Sequence, residues 1–344
     1  MITFPASACL TTLNMKMYLK NIAFIIILLA GYLSAPRADA QMGCNLTVKS
    51  GPLRQSFEGF GVCSIGNWAS YDPTLRSQMA DMVYRDLKMN VVRCWVTTTG
   101  SGANPTLVSV ADMLSYFNTT YIASGFIGTV KACGVTKLLL APAQAGGGVY
   151  APASLSNYAA NLAELILQLK NTYGVQMDYT GISNEPGGWT PAQVAQCVAC
   201  LRTALDSRGL ADVKIVAPES SASFGGAAAQ LDGMRNDSAA WEGTYAIASH
   251  AYSPLQDYEF ETRKLDKQWW ITEAACSAGP DIEYPEDENF ASWILEIFLN
   301  NMNHGVTEWV HFNGPRQVAD FYANPRYPSH FVIADLKTGS LVTL

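Results

Sequence analysis

The sequence predicts an α/β protein built as a (β/α)8 barrel, and three observations carry that prediction. Eight short β-branched or apolar runs recur along the chain, stretches with helical spacing separate them, and the runs are near-continuously hydrophobic. That combination describes a parallel sheet covered by helices on both faces. The runs are Phe57 to Cys63, Asn90 to Val96, Lys137 to Ala141, Tyr179 to Ser183, Val213 to Ala217, Ala246 to Ala251, Trp269 to Thr272 and Glu308 to Phe312. Helical spacing covers Thr74 to Leu87, Tyr116 to Cys133, Leu155 to Tyr173, Pro191 to Arg208, Ala227 to Met234, a weak stretch near Tyr258 to Leu265, and Phe290 to Met302. Asp72-Pro73 and Thr190-Pro191 each place a capping side chain before a proline at the first helical position, and Ser154 and Ser156 offer caps for the third helix. A doubly wound open sheet is the competing architecture. No Gly-x-Gly-x-x-Gly follows the first run and no Walker loop appears, so a nucleotide-binding version has little support.

Composition narrows the class. With 49% hydrophobic and 15% charged residues in 344, the chain has too much apolar sequence for a disordered protein. A formal charge of -7 and the lack of any Lys/Arg cluster remove the footprint of a nucleic-acid binder. Lys16 and Lys20 precede the apolar run Ile22 to Leu33, which leads to Ala38-Asp39-Ala40. This is the layout of a secretory signal peptide over residues 1–40, and the run is too short to span about 30 Å of hydrocarbon. The expectation is a secreted, extracellular protein without a membrane span. Sequons at Asn45, Asn118 and Asn236 agree with export and glycosylation. Seven cysteines follow the leader, an odd number, and Cys197-Val-Ala-Cys200 lies inside an apparent helix with no second pair and no nearby His. No metal or cofactor is expected from it.

In a barrel, every strand opens its C-terminal end onto one face, where chemistry sits. Reading those ends gives Gly59-Phe60-Gly61, Arg93-Cys94-Trp95, Ala141-Pro142, Asn184-Glu185-Pro186, Pro218-Glu219-Ser220, His250-Ala251-Tyr252, Thr272-Glu273-Ala274 and His311-Phe312-Asn313. No Gly-x-Ser-x-Gly elbow is present, and the four histidines show no metal-ligand spacing. Two carboxylates ending strands four and seven are what cleavage of a glycosidic bond needs: one protonated for the leaving oxygen, one ionised at the reacting carbon. On this reading Arg93 and Tyr252 hold Glu273 charged, a less solvated setting raises the pKa of Glu185, and Asn184 binds the adjacent sugar hydroxyl. Glu219 is the competing acid, and Glu308 is expected on the opposite, stabilising face.

Ile182-Ser183-Asn184-Glu185-Pro186 with Trp270-Ile271-Thr272-Glu273 resembles the acid/base and nucleophile motifs of retaining (β/α)8 glycoside hydrolases. Phe57-Glu58-Gly59-Phe60-Gly61, Trp189-Thr190-Pro191, Lys214 to Ser220 and Ser249-His250-Ala251-Tyr252 narrow the resemblance to glycoside hydrolase family 30 over roughly residues 50 to 344. The resemblance implies Glu185 as acid/base, Glu273 as nucleophile, and Arg93, Asn184, His250, Tyr252 and Trp309 around the sugar, without a cofactor. It implies an endo-acting retaining enzyme on a β-linked cell-wall polysaccharide or oligosaccharide, xylan first. β-1,6-Glucan, β-1,6-galactan and a glucosylceramide are the enzymatic alternatives, and a non-hydrolytic carbohydrate-binding protein is the alternative of another class. A monomer is expected. The family's last barrel helix and β-sandwich side domain are expected to be largely absent, with residues 41–56 supplying a side-domain strand and 57–344 a C-terminally truncated barrel. Such a barrel exposes an apolar seam.

Overall fold

Eight strands pair in chain order and close on themselves. They are β1 Gly59–Cys63, β2 Val91–Thr99, β3 Lys137–Gln144, β4 Tyr179–Thr180, β5 Lys214–Ser221, β6 Thr244–Ala251, β7 Gln268–Ala274 and β8 Val306–His311. Each is parallel to the next, and β8 pairs with β1 through Gly59 with Glu308 and Gly61 with Val310. The computed structural model describes residues 56–65, 68–147, 150–221, 227–252, 266–275, 288–312, 315–317, 332–335 and 340–343. The predicted signal peptide, Asn45, Cys276, the weak helix near Tyr258 to Leu265 and most of the loop from 275 to 289 lie outside the described residues.

The predicted barrel is the one observed, and all eight runs became its strands. Alternation along each strand divides the apolar residues into two cores. Val91, Leu139, Tyr179, Val216, Ala248, Trp270 and Val310 fill the interior, whereas Val92, Cys94, Leu138, Leu140 and Ile215 face the helices. The helices are α1 Pro73–Ala80, α2 Val110–Phe117, α3 Phe126–Ala132, α4 Leu155–Tyr173, α5 Pro191–Asp206, α6 Ala227–Arg235, α7 Ser238–Gly243 and α8 Glu288–Asn303. The caps act as their residue types dictate. Asp72 accepts from the N–H of Thr74, Ser154 from Asn157, and Thr190 forms a reciprocal capping box with Gln193. In α4, residues such as Leu162, Leu165, Ile166 and Leu169 are buried, each contributing about 1.5–3 kcal/mol of transfer free energy. None of the described helices is long and apolar enough to cross a membrane.

Three differences from the sequence reading lie among the helices. The single helix expected over Tyr116 to Cys133 is two helices joined through a π segment, Asn118–Ile122, and the turn at Gly125, whose φ of 80° stops the helical path. The first predicted helix likewise widens into a π segment at Asp81–Asp86. A helix not expected at all, α7, starts at Asp237, whose side chain accepts from the N–H of Ala240. Beyond the barrel, β9 Pro315–Gln317, β10 Val332–Asp335 and β11 Ser340–Thr343 form a separate sheet in the order β11-β10-β9.

Candidate active site

The ends of β2, β5, β6 and β7 and the turn after β4 bring ionisable groups together at the C-terminal mouth of the barrel. β2 supplies the organising cation. Its alternation points Val91, Arg93 and Trp95 inward, and Arg93 is wholly buried. Arg93 Nη1 donates to Glu273 Oε2 at 2.8 Å, Nη2 to Asn184 Oδ1 at 2.9 Å and Nε to Glu219 Oε1 at 3.2 Å. The guanidinium lies 4.2 Å from the centroid of the Trp95 ring.

Glu273 and Glu219 face the mouth because their strands are bulged. On β7, Ile271 pairs with Ser249 of β6, and the next matched pair is Glu273 with His250. On the other side, Ile271 pairs with Trp309 and Ala274 with His311. One extra residue therefore sits at Thr272, and it turns Glu273 onto the face that Trp270 occupies. On β5, Pro218 pairs with Ala248 and Ser220 with Ser249, so Glu219 is itself the extra residue, at φ 62°. Glu185 arrives differently. β4 is two residues long rather than the predicted five; Gly181, which follows it and still donates to the Leu140 carbonyl at 2.9 Å, lies beneath the Glu219 carboxylate, where a Cβ would overlap it. The chain then turns through Asn184-Glu185-Pro186 with Glu185 at φ 48°, its N–H donating to the Glu219 carbonyl at 3.1 Å.

His250 Nδ1 lies 2.9 Å from Glu185 Oε1 and 3.9 Å from Glu273 Oε2, and the Tyr252 hydroxyl donates to Glu273 Oε1. One oxygen of Glu185, one of Glu273 and a ring nitrogen of His250 fall within 4.8 Å of one another. Arg93 and Tyr252 already donate to the two oxygens of Glu273, so a metal ion would have to displace a guanidinium. The arrangement is suited to hydrogen bonding and proton exchange.

The two carboxyls differ in protonation in the opposite sense to the sequence expectation. Burial raises the Glu185 pKa, but the hydrogen bond and charge of His250, with Arg93 and Ser221 behind them, outweigh it and hold Glu185 below the ordinary value. For Glu273 burial dominates and raises the pKa; Glu185 and Glu219 add to that rise against His250 and Arg93. The cause is depth. The Glu185 side chain keeps 24% of its surface exposed and has its own imidazole partner, whereas Glu273 is 5% exposed and shares its guanidinium.

Arg93, Asn184, Glu185, His250, Tyr252 and Glu273 thus converge. Trp309 does not. It points out of the barrel, packs on Phe298 of α8 at 5.7 Å between ring centroids, and donates from Nε1 to Asn301 Oδ1 at 3.2 Å. Alternation puts Glu308 and Val310 inside, and Trp309 therefore outside. An aromatic group that does reach the mouth, beside Tyr252 and Trp95, is Phe312, whose ring centroid lies 6.2 Å from that of Tyr252 and 6.5 Å from that of Trp95. The signal was available: Phe312 shares parity with Glu308 and Val310. Gln230 of α6 was missed altogether. It is buried and donates from Nε2 to the carbonyls of Pro186 at 2.5 Å and Trp189 at 3.4 Å, while accepting from Ser220 Oγ. It thereby ties the Glu185 turn to β5.

The family model for glycosyl hydrolase family 59 matches residues 137–331. This is a different family from the family 30 that the motifs resemble. No curated protein sequence matches the chain. Among solved structures, the chain is similar to SrfJ from Salmonella typhimurium at 13% identity and TM-score 0.64, over 84% of this chain and 72% of that one. It is also similar to the family 30 subfamily 8 xylanase Xyn30A from Clostridium acetobutylicum, at 20% identity and TM-score 0.54, over 75% of this chain and 64% of the xylanase. A glucosidase from Croceicoccus marinus is similar at 15% identity and TM-score 0.55, over 81% of this chain and 64% of that one. The alignments thus span less than two thirds of the xylanase and the glucosidase, and at these identities the likeness is one of fold.

Proposed function

The chain belongs to glycosyl hydrolase family 59, and from that premise we propose that it hydrolyses β-glycosidic bonds with retention, Glu273 acting as nucleophile and Glu185 as acid/base. The observation that carries this reading is the approach of the two carboxyls, with an oxygen of each within 4.8 Å beside Arg93 and His250. Retaining enzymes hold their carboxyls about 5–5.5 Å apart, and inverting ones about 6.5–9.5 Å to admit a water.

In the first step a Glu273 oxygen attacks the anomeric carbon, the bond to the leaving oxygen breaks, and the Glu185 proton passes to that oxygen. In the second, Glu185 takes a proton from water, the water oxygen bonds to the anomeric carbon, and the Glu273 carboxylate departs. Arg93 and Tyr252 keep the two Glu273 oxygens oriented throughout. Before the first step Glu185 must hold a proton that its partner His250 opposes in the free protein. A sugar seated against its exposed edge removes water, which favours the neutral carboxyl. The carboxylate then forms as the leaving oxygen is protonated, where the His250 hydrogen bond stabilises it. Asn184, fixed by Arg93, is placed for the neighbouring sugar hydroxyl, and Trp95 and Phe312 offer apolar ring faces.

The substrate is a β-linked cell-wall glycan, xylan being the first to test, and the protein is exported on the leader ending at Ala40. We expect the protein to hydrolyse one member of a panel of xylan, β-1,6-glucan, β-1,6-galactan and glucosylceramide with retained anomeric configuration, followed by proton NMR of the nascent product. Glu185→Gln and Glu273→Gln should each lower kcat by a factor on the order of a hundred to ten thousand. Unchanged turnover in both variants overturns the assignment. Sugar binding without turnover in all three proteins identifies a non-hydrolytic carbohydrate-binding protein instead.

A further inference from the structure

Glu219 is the third carboxylate at the mouth, and the proposed reaction gives it no step. Its side chain is fully buried. It is the extra residue in β5, held at φ 62°. Three contacts place it between the two reacting glutamates. Its Oε1 accepts from Arg93 Nε at 3.2 Å, its carbonyl accepts from the Glu185 N–H at 3.1 Å, and Gly181 leaves the space its other oxygen fills. That second oxygen, Oε2, has no hydrogen-bond partner among the described residues.

We propose, on the reading of Glu273 as nucleophile, that Glu219 is a positioning residue: it orients the Arg93 guanidinium and takes up part of its charge, so that Glu273 keeps the basicity that attack requires. The guanidinium is a rigid plane whose donors keep fixed mutual directions. Holding Nε on Glu219 therefore aims Nη1 at Glu273, 2.8 Å away, and Nη2 at Asn184, 2.9 Å away. The charge argument has the same origin. A carboxylate with an arginine to itself is lowered by about 1–3 pH units, which makes a weak nucleophile. Here one guanidinium serves two carboxylates.

Among the described residues, the charged and titratable groups facing Glu273 or its arginine are Arg93 on β2, Glu219 on β5, Glu185 after β4, His250 and Tyr252 at the end of β6, and Cys63 on β1. Glu219 is bonded to Arg93 through its side chain, whereas its contact with Glu185 runs through its backbone carbonyl. Removing its charge leaves the set of hydrogen bonds to Glu273 intact while releasing Arg93 to it.

The test is a titration that needs no substrate. Protein carrying glutamate labelled at the side-chain carboxyl carbon is followed by carbon NMR against pH, and the Glu273 signal is assigned by its loss in Glu273→Gln. In Glu219→Gln the Glu273 midpoint should move down by about one pH unit or more. Glu219→Asp, which keeps a charge but withdraws it from Nε, should move it in the same direction and covers the case in which the first variant does not fold. A midpoint within about 0.3 unit of the parent in the folded variant overturns the proposal, because a merely structural role would leave it there. With a hydrolysed substrate, kcat should fall in Glu219→Gln with KM little changed. Failure of the hydrolysis reading shows in the Glu185 and Glu273 variants and leaves the titration unaffected.

Discussion

Trp309 and Phe312 show how single side chains three positions apart at one strand end divide between structure and chemistry. Trp309 is 3% exposed and satisfies its indole N–H on Asn301, so its contribution is to the packing of α8 on β8. Phe312 lies over the mouth between Tyr252 and Trp95. We therefore expect Trp309→Phe to lower the melting temperature, because Asn301 loses its donor at a cost of about 1–3 kcal/mol, while kcat/KM stays within about twofold. Phe312→Ala should do the reverse, leaving the melting temperature nearly unchanged and lowering kcat/KM by about three- to tenfold, the worth of one aromatic face. Thermal melts and initial rates on a common substrate check both. If Trp309→Phe costs activity without stability, the outward placement is wrong. The same scale explains the inverted carboxyl pKa values. Residue types announced an acid and a nucleophile, but which one sits deeper and which one meets His250 depends on neighbours more than 60 positions away in sequence.

At the scale of elements, the eight strands were legible because a parallel strand buried on both faces is a continuous apolar run, and α4 was legible to its ends because its cap and its closing glycine are both written in the sequence. The bulges at Thr272 and Glu219 were not. A bulge is a mismatch between two paired strands, and a single strand read alone carries no trace of its partner's register. Hence Glu273 was placed at the mouth by its position at a strand end, while simple alternation from Trp270 would have turned it outward. The tether from α6 was hidden for the same reason: Gln230 looks like an ordinary polar helix residue until the Glu185 turn is folded over it. Its two carbonyl acceptors and one hydroxyl donor bind that turn to β5. Gln230→Leu should leave them unsatisfied, lowering the melting temperature and also kcat, with KM much less affected, since the residue touches no sugar. A kcat at the parent value, in a variant whose melting temperature has fallen, would separate the tether from the chemistry.

Across the whole molecule, the two ends of the barrel handle buried charge in opposite ways. At the mouth each carboxylate has a cation or a donor beside it. At the floor Glu308 has neither among the described residues: it is fully buried opposite Trp270, and both its oxygens lack a hydrogen-bond partner there. Lys137, the cation that favours its charge, is engaged by Glu58 at 3.2 Å. Burial pushes the Glu308 pKa up to about 9, Lys137 opposing and Glu58 adding to the shift. The folded protein therefore holds a proton here that the unfolded chain releases near its ordinary value of 4.5. Between those two pH values the folded state binds more protons than the unfolded one, so stability is greatest below the lower value and falls by about 1.4 kcal/mol per pH unit as pH rises. Paired Glu185 works in the other direction, its stabilisation present at neutral pH and lost as pH falls through its lowered value. Glu308→Gln keeps the shape and removes the titration. It should make the protein more stable at pH 8, flattening the change in unfolding free energy between pH 5 and pH 8 by up to about 4 kcal/mol, read from urea unfolding at each pH. Equal pH dependence in the two proteins would mean that Glu308 is charged in the fold and has a partner. The variant should leave the activity profile in place, because the carboxyl lies at the end of the barrel away from the mouth, where substitutions change stability rather than chemistry.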